Sequence, residues 1–310
     1  MRAPAPAALL LATALALAAC KPVSFTAPDA VAEPPRPEAS ASASPAGTAT
    51  TDADDNLNAV LWVQRSAEYQ ANAISIFRAA ADHLDAALKE PNWDALVPEE
   101  REQAAPAAGL QPAVIMDIDE TVLDNSPYQA RLIADGAEYD EVTWDRWVAE
   151  KKARPVPGVV EFARAAEARG VTILYLSNRA VHLKEATLAN LRAEGLPVKD
   201  DSVFLGLGTH VEGCEQQGSE KLCRRRLAGR EYRVLMQFGD QLGDFVEVVA
   251  NTPDARAGLL AQYGDWFGER WWMLPNPTYG SWEPAVFNNA WNETRQARRA
   301  RKRDALEQNR

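Results

Sequence analysis

Histidine and cysteine are both scarce in these 310 residues, at three each. The histidines, His83, His182 and His210, are scattered along the chain, which argues against a histidine-built metal centre and against catalysis through a nucleophilic histidine. Basic residues are outnumbered, 33 against 44 acidic ones, for a formal charge of -11. A generic nucleic-acid binder needs a basic surface to displace counterions from phosphate, so no stable nucleic-acid complex is expected. The apolar run from Ala7 to Ala19 falls short of the roughly 20 residues of a membrane span. With 46% hydrophobic and 25% charged residues the composition is otherwise that of a soluble globular chain, able to bury one sizeable core.

What stands at the start reads as an address. Arg2 followed by the short apolar run makes residues 1–19 a secretory signal. It ends in Leu17-Ala18-Ala19-Cys20, the pattern of a bacterial lipobox, so Cys20 is expected to carry lipid and hold the protein on a membrane without spanning it. The alternative is a plain signal peptide with a chance cysteine. Residues 20–55 are rich in Pro, Ala, Ser and Thr, with too few large apolar side chains to offset the entropy of ordering, and read as a tether. Lys21, rather than an Asp, after the lipidated cysteine points to the outer membrane. In an exported chain Cys214 and Cys223, with eight residues between them, are expected to form a local disulfide. At the other end residues 294–310 hold seven basic residues against two acidic ones. That tail reads either as the frayed, solvated end of a last helix or as an electrostatic contact with anionic lipid or a partner.

Between tether and tail, residues 56–293 read as one folded domain. Apolar residues recur at helical spacing from Leu57 to Leu88, which predicts one long amphipathic helix ending before Pro91. Nearly continuous apolar runs at 113–119, 171–177, 202–207 and 233–240, with a fifth at 271–274, predict strands buried on both faces. Helical patterns at 159–169, 181–194 and 219–229 alternate with them. The fold class is therefore α/β, a Rossmann-like, mostly parallel sheet with helices on both faces. A small helical cap, about 122–157, and an N-terminal helical part complete it. Ligands in such folds bind beyond the carboxyl ends of the strands. Three runs end there in polar residues, at Asp117 and Asp119, at Ser177-Asn178-Arg179 and at Asp240.

Residues two apart in an extended segment project to one side, so Asp117 and Asp119 face one small volume. Two carboxylates that close together repel unless a cation sits beside them or one is protonated. Gly239-Asp240-Gln241-Leu242-Gly243-Asp244 repeats the transition from strand to acid. Oxygen ligands without a nearby histidine suggest Mg²⁺ rather than Zn²⁺.

In order along the chain, Asp117-x-Asp119-x-Thr121, Ser177, Lys221 and Gly239-Asp240-x-x-x-Asp244 resemble the four motifs of the haloacid-dehalogenase superfamily of aspartate-nucleophile phosphohydrolases. Asp117 to Tyr128, Thr143 to Trp147, Pro155 to Gly158, Lys221-x-x-Arg224 and Pro275 to Glu283 carry the likeness further, to the class C acid phosphatases, the bacterial lipoprotein 5'-nucleotidases. The resemblance implies that Asp117 attacks phosphorus and that Asp119 protonates the leaving group and then activates water. It implies Mg²⁺ held by Asp117, Asp240 and the Asp119 carbonyl, with Asp244 either a ligand or an orienter. Lys221 and Ser177 would neutralise and hydrogen-bond the transferring group. Asn178 joins the phosphate-holding backbone, and Arg179 and Arg224 are either phosphate contacts or salt-bridge partners. Thr121 is a motif residue or only a turn cap, and Asp124 and Asn125 brace the loop. Trp144 and Tyr279 resemble the residues that grip a nucleobase; Trp147 is left open, and Trp62, Trp266, Trp271 and Trp272 read as packing. The segment from Gly206 to Cys223 departs from the family pattern, and a looped-out stretch closed by the disulfide would restore the placement of Lys221.

These expectations add up to a membrane-tethered, Mg²⁺-dependent phosphomonoesterase acting on nucleoside 5'-monophosphates, with an acidic optimum because Asp119 must be protonated for the first step. A broad acid phosphatase and an inert binding module on the same fold are the alternatives.

Overall fold

The computed structural model describes residues 55–101 and 107–308. The chain divides into two units, Met1–Thr51 and Asp52–Arg310. The signal, Cys20 and the tether up to residue 54 lie outside the described residues.

Among its described residues the second unit has seven strands: β1 (Gln111–Met116), β2 (Leu123–Asp124), β3 (Arg154–Pro155), β4 (Thr172–Ala180), β5 (Phe204–Leu207), β6 (Tyr232–Gly239) and β7 (Trp271–Met273). Five form one sheet in the order β5-β4-β1-β6-β7, and every pairing in it is parallel. The apolar runs form its interior because parallel strands with helices around them are covered on both faces. Val114, Met116, Tyr175, Val234, Leu235 and Met236 are all fully buried. Phe77 of the helix Ala67–Lys89 stacks on Phe238 of β6 at 5.3 Å and meets Phe162 of the helix Val159–Glu167 at 5.9 Å.

The single helix expected over residues 57–88 is two, Leu57–Arg65 and Ala67–Lys89. Ser66 takes an extended backbone, and its hydroxyl accepts the Tyr69 amide at 3.0 Å, capping the second helix. Apolar spacing runs on across the break, so periodicity alone does not reveal it. The other end of that helix is closed by Arg233, whose guanidinium donates to the carbonyls of Ala87, Leu88 and Glu90 at 2.8 to 3.0 Å.

β2 and β3 pair antiparallel as a two-residue ribbon. Between them lie the helices Ser126–Asp135 and Glu141–Glu150, the segment expected to form a small cap. The basic tail is not frayed: Arg295–Asp304 is a helix with Arg298 buried. Among the described residues no helix is long and apolar enough to cross a membrane.

Candidate active site

Central strands β1 and β6 end side by side, and the ladder extends one residue past β1, because the Asp117 amide donates to the Phe238 carbonyl at 2.9 Å. Asp117 is thereby fixed on rigid backbone at the sheet's carboxyl edge. The chain then turns sharply through Glu120, which adopts a left-handed φ of 61°. Both the Val122 and Leu123 amides bond to the Ile118 carbonyl at 2.8 Å.

Asp117, Asp240 and Asp244 are buried and offer carboxylate oxygens all within 4.8 Å of one another. Lys221 reaches into this cluster, donating to Asp117 Oδ1 and, at 2.7 Å, to Asp244 Oδ1. Among the described residues none donates to Asp117 Oδ2. Asp244 Oδ2 accepts the amides of Asp240 and Gln241 at 3.0 and 2.8 Å. Of the two roles open for Asp244, the geometry favours orienting the Asp240 loop and Lys221. Gly239 makes this possible, since a Cβ there would land on the Asp244 side chain. Asp240 Oδ2 is itself held by Asn276 and Gln241, both at 2.8 Å. Gln241 comes close only because residue 280 is glycine, at φ 153°, where a Cβ would collide with the Gln241 amide.

Asp119 is placed differently. Its Oδ1 accepts from Asn125 at 2.8 Å and from Arg179 Nε at 3.0 Å, while Oδ2 has only a long 3.4 Å contact with Ser177. Its carboxylate therefore stands outside the Asp117, Asp240 and Asp244 cluster. Arg179, 1% exposed, also reaches Asn125 and Thr187, so it is a salt-bridge partner of Asp119. Arg224 is fully buried and donates to the carbonyls of Ser177, Ser219 and Glu220 and to Asn178 Oδ1. It ties the end of β4 to the stretch that carries Lys221. Asn125 braces as expected, and Trp147 joins it by donating to Asn125 Oδ1 at 2.8 Å. Thr121 is buried with no hydrogen-bond partner for its hydroxyl among the described residues, so it does not cap the turn through that group.

Cys214 and Cys223 are bonded. The bridge closes the irregular stretch before Lys221, and Cys223 sits in the first turn of the helix Leu222–Glu231 that Lys221 precedes. The departure from the family pattern is accommodated there, and Lys221 arrives at the acids.

Asp117, Asp119, Trp144, Asn178, Arg179, Lys221, Asp240, Asp244 and Tyr279 all line one cavity of about 900 Å³. Ser177 is fully buried and is not part of the lining; its hydroxyl oxygen accepts the Arg179 amide at 3.0 Å. None of the three histidines lines the cavity. Trp144 stands edge-on to Tyr128 at 5.2 Å, with the Arg179 guanidinium 5.5 Å from its ring centre. Tyr279 is anchored by a hydrogen bond from its hydroxyl to Glu120. Trp266 and Trp271 pack on each other at 4.9 Å, as expected of core residues. Sequence reasoning assigned no role to Glu120, Gln241 or Asn276. The last lies in the Pro275 to Glu283 run that carries the family likeness, which was the available signal.

Burial pushes Asp117 well above the usual carboxylate range; Lys221 opposes this, and Asp244, Asp240 and Asp119 add to it. Asp240 is raised to about 7, first by burial and then by Asp244. Burial works against the Lys221 charge, but Asp117 and Asp244 outweigh it and hold its ammonium above the usual lysine value. Asp117 and Asp240, oxygen-only donors crowded beside Asp244 and Lys221, are a chemical fit for a hard divalent cation.

A consequence follows for the metal-free protein. The folded state keeps on Asp240 and Asp117 protons that the unfolded chain gives up near pH 4, so stability falls as pH climbs from about 4 to about 7. The melting temperature in EDTA should be several degrees lower at pH 7.5 than at pH 5, and Mg²⁺ should raise it more at the higher pH. A melting temperature in EDTA that rises over this range would contradict the assignment.

Comparison with known proteins agrees with this geometry. Residues 38–282 match the family model for the HAD superfamily, subfamily IIIB (acid phosphatase). The class C acid phosphatase from Bacillus anthracis superposes with a TM-score of 0.69 at 30% identity, covering 82% of this chain and 97% of that one. Its structure with tungstate bound gives 0.70 at the same identity and coverage. The stem 31 kDa glycoprotein of Glycine max is 27% identical over 166 residues, and acid phosphatase 1 of Solanum lycopersicum 24% over 165. Each match covers 53% of this chain, and the chain spans only 58% and 57% of those two relatives. The acids gathered at the carboxyl edge of a five-stranded parallel sheet, and these matches across most of the chain, establish that it belongs to the class C acid phosphatases of the HAD superfamily.

Proposed function

We propose that this chain is a Mg²⁺-dependent acid phosphatase that hydrolyses nucleoside 5'-monophosphates through an aspartyl-phosphate. The observation that carries the reading is Asp117, buried between Lys221 and the Asp240 loop, with no donor to Oδ2 among the described residues. Asp117 Oδ2 forms a bond to phosphorus as the bond to the leaving oxygen breaks, and Asp119 gives its proton to that oxygen. Asp119 Oδ2 is the atom placed to carry it, since Oδ1 is taken by Asn125 and Arg179. Asp119 then removes a proton from water, which attacks phosphorus, releases phosphate and restores Asp117. Lys221 offsets charge on Asp117 and on the transferring group; at the end of β4 Asn178, in the cavity lining beside the buried Ser177, is the residue placed to meet its equatorial oxygens. Asp117, Asp240 and the Asp119 carbonyl would hold the metal, which supplies electrostatic stabilisation of the phosphoryl oxygens when bound. That a class C relative binds tungstate, a tetrahedral oxyanion like phosphate, supports the same reading.

Base recognition is assigned to Trp144 and Tyr279, both in the cavity lining. Stacking a base on an aromatic face is worth about 1–3 kcal/mol and tolerates any base. Trp144→Ala should therefore lower kcat/KM for a nucleoside 5'-monophosphate by about tenfold and for p-nitrophenyl phosphate by under threefold. Equal losses on both would mean a broad acid phosphatase. We also place the protein as an exported lipoprotein held on the outer membrane through Cys20; the lipobox and the Cys214 to Cys223 bond, a feature of oxidising compartments, support this.

A further inference from the structure

The Arg-rich C-terminal helix, Arg295–Asp304, lies beyond the family match, which ends at residue 282. Yet Arg295, Arg298, Arg299 and Lys302 line the same cavity as Asp117, Asp119 and Lys221. The helix is pinned there by ion pairs to three separate segments. Arg298 pairs with Glu138 of the inserted segment, Arg299 with Asp55 ahead of the first helix, and Lys302 with Glu283 after the Tyr279 turn. Arg298 is buried, and its guanidinium sits 5.3 Å from the Trp291 ring centre. This is a built wall of the cavity.

Its charge is not cancelled. Four carboxylates among its partners, Asp55, Glu138, Glu283 and Glu293, answer four of its cations, whereas Arg295 donates to the Gly136 carbonyl at 3.4 Å and has no carboxylate partner among the described residues. Arg295 is exposed to the cavity that must receive an anion. The surrounding protein is strongly acidic, and the catalytic floor holds four aspartates. A phosphate dianion approaching such a protein meets repulsion everywhere except where local cations focus the field.

We infer that Arg295, presented by this helix, forms a second anion subsite in the substrate cavity. It selects phosphomonoesters whose leaving group carries a further phosphate, so that one phosphoryl group is transferred at Asp117 while the other is held on the helix. The inference rests on the reading of the Asp117 cluster as a phosphohydrolase centre and goes beyond it in naming the substrate class.

The test compares adenosine 5'-monophosphate with adenosine 3',5'-bisphosphate, in the parent and in Arg295→Gln, between 20 and 300 mM salt. The parent should favour the bisphosphate several-fold in kcat/KM at low salt, and the preference should shrink as salt screens it. Arg295→Gln should cut kcat/KM for the bisphosphate about fivefold through KM, change the monophosphate less than twofold, and flatten the salt dependence. Arg301→Gln, on the same helix but paired with Glu293, should leave both substrates unchanged. Calorimetric binding of the two nucleotides to Asp117→Asn, with and without Arg295→Gln, reads the same ranking without turnover. A parent that hydrolyses the monophosphate without preferring the bisphosphate would overturn this inference alone. Equal losses from Arg295→Gln and Arg301→Gln, or equal binding of both nucleotides in the calorimeter, would overturn it too. Failure to hydrolyse either nucleotide would instead count against the catalytic reading, with the binding data still deciding the subsite.

Discussion

Asp117→Asn should lower phosphate release by about 10⁴-fold or more, a magnitude typical of removing the nucleophile from a cooperating set of groups. The amide keeps the shape of the side chain and an oxygen for Lys221 but offers no carboxylate oxygen to bond phosphorus. Stability should not suffer. The native carboxylate is buried and crowded by Asp240 and Asp244, so neutralising it relieves repulsion. The melting temperature in EDTA at pH 7.5 is expected to stay level or rise. A variant that retains a tenth of parental activity with an intact fold would remove Asp117 from the role assigned to it.

Lys221→Met carries the second large effect, and it differs in kind. Lys221 is 4% exposed and bridges Asp117 to Asp244, so the substitution removes the cation bonded to both of these acids. Breaking a buried pair from one side typically costs about 3–5 kcal/mol, because the remaining charge is left uncompensated. The loss should be largest near pH 7.5 in EDTA and smaller at pH 5, where Asp117 and Asp240 keep their protons. Turnover should fall by about 10²–10³-fold, the size expected for removing a group that stabilises charge in the transition state. Saturating Mg²⁺ should recover part of the stability and little of the rate. Full recovery of rate by Mg²⁺ would reduce Lys221 to a structural counter-ion.

Much of this was legible in the amino-acid order for a definite reason. Strands buried on both faces must be continuously apolar, so β1 and β6 stand out, and the abrupt acids at Asp117 and Asp240 mark the solvent edge of the sheet. Ser66 was missed because a cap changes the backbone at one residue without interrupting the apolar spacing around it. Asn276 and Gln241 act on Asp240 across tertiary distance, which local pattern does not encode. Arg179 and Arg224 carried two readings each until their partners were seen. Arg179 pairs with Asp119, and Arg224 satisfies carbonyls at two strand and loop ends. The tail was the largest surprise. An Arg-rich stretch has the composition of a solvated end, and only its distant partners Asp55, Glu138 and Glu283 turn it into a cavity wall.

The central claim is that phosphorus becomes bonded to Asp117 in a reaction that needs a divalent cation. Rapid acid quenching of the enzyme with a 5'-nucleotide labelled in its phosphoryl group, followed by peptide mapping, tests it most directly. With Mg²⁺ present the label should appear on the peptide containing Asp117, and it should vanish in EDTA and in Asp117→Asn. Label on any other residue, or unchanged phosphate release after chelation, would contradict the account.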